Sequence, residues 1–375
     1  MFSAESEPPD LEGLTEPQLV KSWSNWARKE ELKRCVPHIS SFRELYNPSF
    51  ADYDSRTALA VYIQDAEIAA LFHHEPFLRH RRRCIALACS TKAFFASTVD
   101  DWVRAIKNDI STESNLNRSA TSSLLIMGDV SGSGRPLSIF SAYTVLEGIG
   151  AAICEDRALG QFDYRSASTY ELDLISWYET YGSRMRRESD PQCLLVLWHW
   201  IFMSIFVDLD RLETAVGKKG AVGAVSCTDY ITEWSASTAS KRCLIHAFLL
   251  QKELENTPLR RVLAIHAPRC LFSAAIAWSA YLRSVLNTPL NSPPTEDSDF
   301  PELRLLGVNF SHYWCHVIGV RKGNLSTVKG ITLCRLADML RETHHWEIAQ
   351  KLSRVLAPLI HGGVDESLLS YDQKR

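Results

Sequence analysis

Residues 194–207 read LLVLWHWIFMSIFV, the longest apolar run in the chain, and only His199 and Ser204 interrupt it. The run is shorter than the roughly 18–20 apolar residues that a membrane-spanning helix requires. An apolar segment that is hydrophobic all round and too short to span a bilayer is typical of a helix buried in a protein core. The stretch therefore predicts a fully buried helix, and no membrane partner is expected.

Outward from this run, apolar residues recur at helical spacing, and alternation of period two is almost absent. No internal repeat of about 20–50 residues stands out. The sequence therefore predicts an all-α fold, a multi-helix bundle or array with disordered inserts. The predicted helices cover residues 15–35, 57–75, 81–107, 137–157, 168–187, 191–215, 239–255, 259–287, 302–320 and 329–358. Pro268 predicts a kink or break in the eighth of them, 259–287.

Segments rich in Ser, Gly, Pro and acidic residues predict the organisation of the chain. The Gly-rich stretch 216–230 is the weakest for helix, and residues 36–57, which contain Pro37 and Pro48, are interpreted as an atypical insertion or loop. The predicted segments are a disordered start (1–14), N-terminal helices (15–107), a flexible linker (108–136), a helical core (137–287), a second linker (288–301), C-terminal helices (302–361) and a tail (362–375).

Charge and cysteine usage limit the class of protein. The formal net charge is -3, whereas a module that grips nucleic-acid phosphates should carry a clear positive excess. The 10 Cys include no CxxC pair, and several lie in apolar runs. This distribution favours reduced, buried thiols in a cytosolic or nuclear protein over a secreted disulfide framework. Most of the Trp residues are likewise interpreted as packing residues rather than base-stacking platforms.

No motif meets the requirements of catalytic chemistry, so the sequence predicts no catalytic, cofactor-binding or metal-binding residue. His312, Cys315 and His316 form HYWCH, which lacks the Glu of a zinc-protease motif and a nearby fourth ligand. The stretch 128–134, GDVSGSG, lacks the Lys of a phosphate-binding loop and does not match the G-x-S-x-G pattern of the esterase nucleophile. It is interpreted as a flexible linker. The stretch 217–223, GKKGAVG, is interpreted as a surface turn.

Two groups of charges are singled out. Asp65 and Glu67 are two positions apart in an apolar helix and therefore point to different faces. We interpret them as solvated, with the alternative that one is partly buried and paired to an Arg. The run RHRRR predicts a basic patch or nuclear-import signal, carried by Arg79, Arg81, Arg82 and Arg83.

One block resembles a known family. Trp23, Trp26, Glu30 and Arg34 fall at the spacing of the signature of the fungal-specific transcription factor regulatory domain, also called the middle homology region. Residues 58–76, with Asp65 in an apolar–Asp–apolar pattern, are similar to the second part of that signature. Residues 265–282 and 345–359 are similar to later helices of the family.

The resemblance implies an all-α regulatory domain in the nucleus that modulates transcription of metabolic or secondary-metabolite genes and has no catalytic activity. Coregulator proteins are the expected partners, and a small-molecule effector and a homodimer stay open. The family's DNA-binding zinc finger needs cysteine pairs that this chain lacks. Contact with DNA is therefore expected only indirectly or through a finger region outside this chain, and no cofactor is expected apart from zinc in such a finger.

Two other classes of helical protein are the alternatives. A helical enzyme of the isoprenoid type needs an Asp-rich metal motif, and Asp100 and Asp101 are followed by Trp, Val and Arg instead. A helical protein-interaction scaffold should show a regular repeat, which is absent. A helical enzyme of unknown reaction and an interaction scaffold are retained as alternatives.

Overall fold

The computed structural model describes a large part of the chain, and all regular structure in that part is helical, in 13 α-helices with no strand. The all-α prediction is confirmed. The described residues are 48–78, 92, 95–96, 98, 101, 104–105, 138–182, 185–186, 190–257, 264–286, 300–318, 325–343 and 346–361, with side chains left out at 48–55, 315–331 and 361. The predicted disordered start, both linkers and the tail lie outside these residues, apart from positions 300 and 301.

The helices follow one another in chain order. They are α1 (Pro48–Phe72), α2 (Ile139–Ala158), α3 (Tyr164–Trp177, continued by a π-helical turn Tyr178–Gly182), α4 (Leu194–Phe206), α5 (Leu209–Ala215), α6 (Gly220–Ser226), α7 (Thr228–Ala236), α8 (Thr238–Glu255), α9 (Ala267–Leu286), α10 (Pro301–Leu305), α11 (Phe310–Ile318), α12 (Leu325–Glu342) and α13 (Glu347–His361).

Helix α4 lies at the centre of the core, as the apolar run 194–207 predicts, and every one of its residues is buried. It packs along α8, and α8 in turn packs against α9. On the far side α9 contacts α12 and α13. One hydrophobic cluster extends from Ile63 in α1 to Leu359 in α13. Burial of apolar surface over this length is the main stabilising contribution to the fold.

Helices α1 and α2 pack against each other, and α2 also contacts α3 and α4. Helix α1 ends at Phe72, four residues before Pro76, because His73 takes a left-handed conformation with φ 54°. The His74 N–H then donates to the Ala69 carbonyl at 3.1 Å, which closes the last turn of the helix.

Three buried indoles connect the helices through backbone carbonyls. Trp177 Nε1 donates to Ala142 O at 2.9 Å, Trp198 Nε1 to Leu174 O at 2.8 Å and Trp234 Nε1 to Phe206 O at 3.2 Å. Each side chain is almost fully buried. At these three positions the predicted packing role of Trp is confirmed, since a buried indole N–H requires such a partner.

Several predicted boundaries are wrong. Helix α1 begins at Pro48, so residues 48–57 of the predicted insertion are helical, and residues 36–47 lie outside the described part. Proline is well suited to the first position of a helix, where its missing N–H has no partner to lose. Pro268 likewise occupies the second position of α9 and causes no internal kink.

Two predicted long helices are each two helices. The predicted helix 191–215 ends at Phe206, and Asp208 then caps α5 by accepting a hydrogen bond from the Arg211 N–H at 3.2 Å. The predicted helix 329–358 divides into α12 and α13. In contrast, the Gly-rich stretch 216–230 contains the short helix α6 and the start of α7.

No helix in the described part combines the length and the apolar composition needed to cross a lipid bilayer.

Candidate functional site

Five buried polar side chains meet where α1, α2 and the start of α9 come together. We call Glu67, Tyr143, Glu147, His266 and Arg269 the polar cluster. None has more than a tenth of its surface exposed. Because buried polar groups are strongly destabilising unless they are paired, such a cluster is the first place to look for a site.

Glu67 of α1 and Arg269 of α9 form a two-point ion pair. Arg269 Nε donates to Glu67 Oε2 at 3.0 Å, and Arg269 Nη2 donates to Glu67 Oε1. The guanidinium also stacks on the ring of Trp200 in α4, 3.7 Å from its centre. Burial alone raises the pKa of Glu67, but the charge and hydrogen bonds of Arg269 outweigh burial and hold the pKa below its ordinary value.

Glu147 of α2 is the second carboxyl group. Its side chain contacts both Glu67 and Tyr143, while its Oε1 atom has no hydrogen-bond partner. Burial, and then the negative charge of Glu67, raise the pKa of Glu147 well above its ordinary range. The cluster therefore combines one ionised carboxylate with one carboxyl group whose environment disfavours ionisation.

The hydrogen bonds of His266 determine its neutral tautomer. Its Nε2 atom lies 3.0 Å from the Cys193 carbonyl oxygen, which can only accept, so Nε2 carries the proton. Nδ1 of the neutral ring is then an acceptor, and the Tyr143 hydroxyl donates to it at 3.0 Å. Burial lowers the pKa of His266 to about 4.

The cluster contains a potential set of metal ligands. One atom each of Glu67, Glu147 and His266 lies within 4.8 Å of the other two. A neutral imidazole whose other nitrogen donates to a carbonyl is common among metal ligands. However, both oxygens of Glu67 already accept from Arg269, and His266 Nδ1 accepts from Tyr143. Arg269 supplies the cation, so the geometry favours an internal ion pair over a metal.

A second such group lies near the surface. His73 Nε2 is 2.8 Å from Glu213 Oε1, and Asp210 completes the set. Lys218 Nζ bridges Asp210 and Glu213 at 3.0 and 2.8 Å, and Lys219 Nζ lies 3.1 Å from Asp210. These lysines belong to the GKKGAVG stretch. The carboxylates already neutralise their charge, so the arrangement offers little to either a metal or an anion.

Two buried imidazoles face each other between α4 and α8. His199 Nδ1 and His246 Nδ1 are 2.9 Å apart, so one donates and the other accepts. The pair lies among aromatic rings, with His246 stacked on Phe202 at 4.6 Å. Burial lowers the pKa of His199 to about 3 and that of His246 well below its ordinary value. Both rings are therefore neutral, and the pair is a packing element.

Most of the residues singled out in the sequence are not described by the structure. The basic residues Arg79, Arg81, Arg82 and Arg83 and the signature residues Trp23, Trp26, Glu30 and Arg34 lie outside the described part. So does the stretch 128–134. Among the residues of the family signature, Asp65 is described: its Oδ2 accepts a hydrogen bond from the Leu78 N–H at 2.6 Å and so holds the segment after α1.

The remaining candidates are partly placed. His312 is exposed on α11, and its backbone N–H donates a hydrogen bond to Asn309 Oδ1 at 2.8 Å. The side chains of Cys315 and His316 lie outside the described part. Glu67 is buried and paired to an Arg, as the alternative interpretation stated, so the solvated interpretation of Glu67 is wrong. Sequence analysis missed Glu147, His266 and Arg269, since nothing in their local pattern separates them from ordinary helix residues.

Comparison with known proteins gives no further guide, since no protein-family model, no curated protein and no solved structure matches the chain.

Proposed function

We propose that this chain is a non-catalytic regulatory domain of a fungal transcription factor, of the middle homology type, and that it modulates transcription of metabolic or secondary-metabolite genes in the nucleus. It acts through coregulator proteins, and reaches DNA through a partner or a zinc-finger region that is not part of this sequence. A small-molecule effector and a homodimer fit the same proposal.

The observation that carries the proposal is the meeting of two family-like segments. Residues 58–76 and 265–282 each resemble helices of that family. In the fold the two segments are linked by the buried ion pair of Glu67 and Arg269, which are 202 residues apart in sequence. Asp65, the acidic residue of the apolar–Asp–apolar pattern, fixes the chain that follows the helix. Asp65, Glu67 and Arg269 thus have structural partners, which suits a domain that regulates by folding and docking.

A reporter assay tests the proposal. The full chain is fused to a heterologous DNA-binding domain that carries its own activation segment, in a fungal host with the matching reporter gene. We expect the fusion to change transcription several-fold relative to the DNA-binding domain and activation segment alone. The reason is that a regulatory domain restrains or recruits the transcription machinery. An unchanged reporter, with the fusion present at equal abundance, would contradict the proposal.

A localisation control separates entry into the nucleus from regulation. The chain alone, carrying a fluorescent tag too large to diffuse through nuclear pores, should accumulate in the nucleus. Replacing Arg79, Arg81, Arg82 and Arg83 with Ala should abolish this accumulation if the basic run is the import signal. As a matched control, replacing the exposed Arg104, Arg341 and Arg354 with Ala removes surface positive charge elsewhere and should leave localisation unchanged.

A further inference from the structure

The polar cluster contains more acidic groups than positive charges. Glu67 and Glu147 provide two carboxyl groups, and Arg269 provides one guanidinium. His266 is neutral in the tautomer that its hydrogen bonds select. A buried site does not tolerate an uncompensated charge, because transfer of an ion from water into the interior is strongly unfavourable. Electroneutrality therefore requires the cluster to retain one proton besides those of Tyr143 and the His266 Nε2 atom.

The contacts place that proton on Glu147. Glu67 already accepts one hydrogen bond from Arg269 at each oxygen, which matches a fully ionised carboxylate. Glu147 accepts no hydrogen bond from Arg269. Its side chain contacts Glu67 and Tyr143, and both of these groups can accept a hydrogen bond. Transfer through Tyr143 to His266 would also keep the cluster neutral, but it would bury an imidazolium ion, and burial lowers the pKa of His266.

We propose that Glu147 keeps its proton in the folded protein at neutral pH, and that this proton makes the contact between α1, α2 and the start of α9 a pH-sensitive clasp. With the proton in place, the Glu147 carboxyl group donates a hydrogen bond to Glu67 and so joins α2 to α1. When the proton leaves, two carboxylates face each other in a dry site that holds one guanidinium, and the helices separate or admit water.

The surroundings of Glu147 offer no second cation. The titratable or charged groups that interact directly with the cluster are Tyr62 and Glu67 from α1, Tyr143 and Cys154 from α2, Cys193 before α4, and His266, Arg269 and Cys270 at the start of α9. Arg269 is the one permanent positive charge among these described groups. Glu67 holds Arg269 through Nε and Nη2, and Arg269 Nη1 makes no hydrogen bond. Loss of the Glu147 proton would still leave two carboxylates and one guanidinium in the buried cluster, because one positive charge cannot balance two negative charges.

The sign of the pH effect follows from the raised pKa of Glu147. The unfolded chain has an ordinary glutamate that is ionised at neutral pH, whereas the folded chain binds the proton. Its stabilising contribution is complete below the unfolded pKa and is lost as pH rises toward the folded pKa. Over that interval, the unfolding equilibrium constant should rise by up to about tenfold per pH unit from this group alone.

Urea unfolding of the full chain between pH 6 and 8 tests the clasp. The variant Glu147→Gln has the shape and neutrality of a protonated Glu and keeps a donor, so it should fold. The ratio of its unfolding equilibrium constant to that of the wild type should decrease by up to about tenfold for each unit that the pH rises. Glu155→Gln is the matched control, since Glu155 is a buried residue of the same helix outside the cluster. It should follow the wild-type pH dependence.

Three results would overturn the proposal. The first is a Glu147→Gln curve parallel to that of the wild type. The second is failure of Glu147→Gln to fold where Glu155→Gln folds, because a neutral mimic should be accepted if Glu147 is protonated. The third is a rise in Tm of the wild type on adding Zn²⁺ that Glu147→Gln lacks, because that would assign the cluster to metal binding.

Hydrogen exchange supplies the conformational readout. After correction for the intrinsic pH dependence of exchange, amides of α1 and α2 near the cluster should lose protection as pH rises in the wild type. They should keep their protection in Glu147→Gln. Unchanged protection in the wild type across this range would contradict the claim that the helices loosen.

Discussion

At the scale of single residues, Glu67 and Arg269 illustrate how a buried ion pair fixes an arrangement of helices. The pair uses the planar fork of Arg, which matches a carboxylate at two points. Trp200 covers the guanidinium and keeps water away. Such a pair contributes less net stability than its geometry suggests, because both ions lose hydration; breaking it by removing one partner is far more damaging.

We therefore expect Arg269→Met to destabilise the fold by about 3–5 kcal/mol, since Glu67 would be left buried without a counter-charge. The double variant Glu67→Gln/Arg269→Met should recover part of the loss, because no unpaired ion remains. Arg335→Met is the control: Arg335 is exposed and its pair with Glu255, at 3.2 Å, should contribute below about 1 kcal/mol. Urea unfolding measures all three, and equal losses for Arg269→Met and Arg335→Met would refute the expectation.

The same residues show where the sequence stops being informative. An Arg partner for Asp65 or Glu67 could be anticipated, because a charge within an apolar helix needs compensation if it is buried. The identity of the Arg that pairs with Glu67 could not be anticipated, since Arg269 lies 202 residues away in sequence. Glu147 and His266 were missed for the same physical reason: the packing of α2 and α9 on α1 creates their environment, and no local pattern encodes that packing.

At the scale of elements, α4 was predicted well because its signal is strong: a continuous apolar run can be satisfied only by burial. Its C-terminal end was not predicted, because no Gly or Pro marks it. The end is instead recognised by Arg157 of α2, whose Nη2 atom lies 2.6 Å from Ser204 O, 3.3 Å from Ile205 O and 3.1 Å from Val207 O. A cation at a helix C-terminus satisfies free carbonyls and complements the helix dipole.

Arg157→Ala should consequently destabilise the protein by about 2–4 kcal/mol, because it leaves carbonyl groups at the end of a buried helix without their charged donor. Arg165→Ala on α3 is a matched control, since Arg165 is exposed. Thermal unfolding followed by far-ultraviolet circular dichroism gives the comparison. A loss for Arg157→Ala no larger than that for Arg165→Ala would show that the cap contributes nothing measurable.

The proline positions mark helix boundaries but do not show on which side of the proline the helix lies. Pro37 and Pro48 both predict irregular chain, yet Pro48 begins α1. A proline forbids the helix before it more strongly than the helix after it, because it removes an N–H and restricts the preceding residue. Composition indicated a boundary at this place; only the packing of α1 on α2 determined on which side the helix lies.

At the scale of the whole molecule, the burial of the cysteine side chains shows which of them belong to the hydrophobic core. Of the described cysteines, Cys193, Cys227, Cys243 and Cys270 are buried, Cys154 is partly buried and Cys334 is exposed. Burial raises the pKa of Cys154 to about 11 and that of Cys193 to about 12, so little thiolate forms at neutral pH even where a reagent could enter. A position in an apolar run predicts a buried, reduced thiol; this prediction is confirmed for the burial of Cys270 and is wrong for Cys334, which lies in such a run but is exposed.

Brief alkylation of the native chain at pH 7, with peptide mapping by mass spectrometry, should therefore modify Cys334 first among the described cysteines. Cys193, Cys243 and Cys270 should react only as fast as the core opens, and all should react at similar rates in concentrated denaturant. Because these three lie before α4, in α8 and in α9, equal protection would indicate one cooperative core. Early modification of Cys270 alone would instead mean that the start of α9, with Arg269 and the polar cluster, opens independently of α4 and α8.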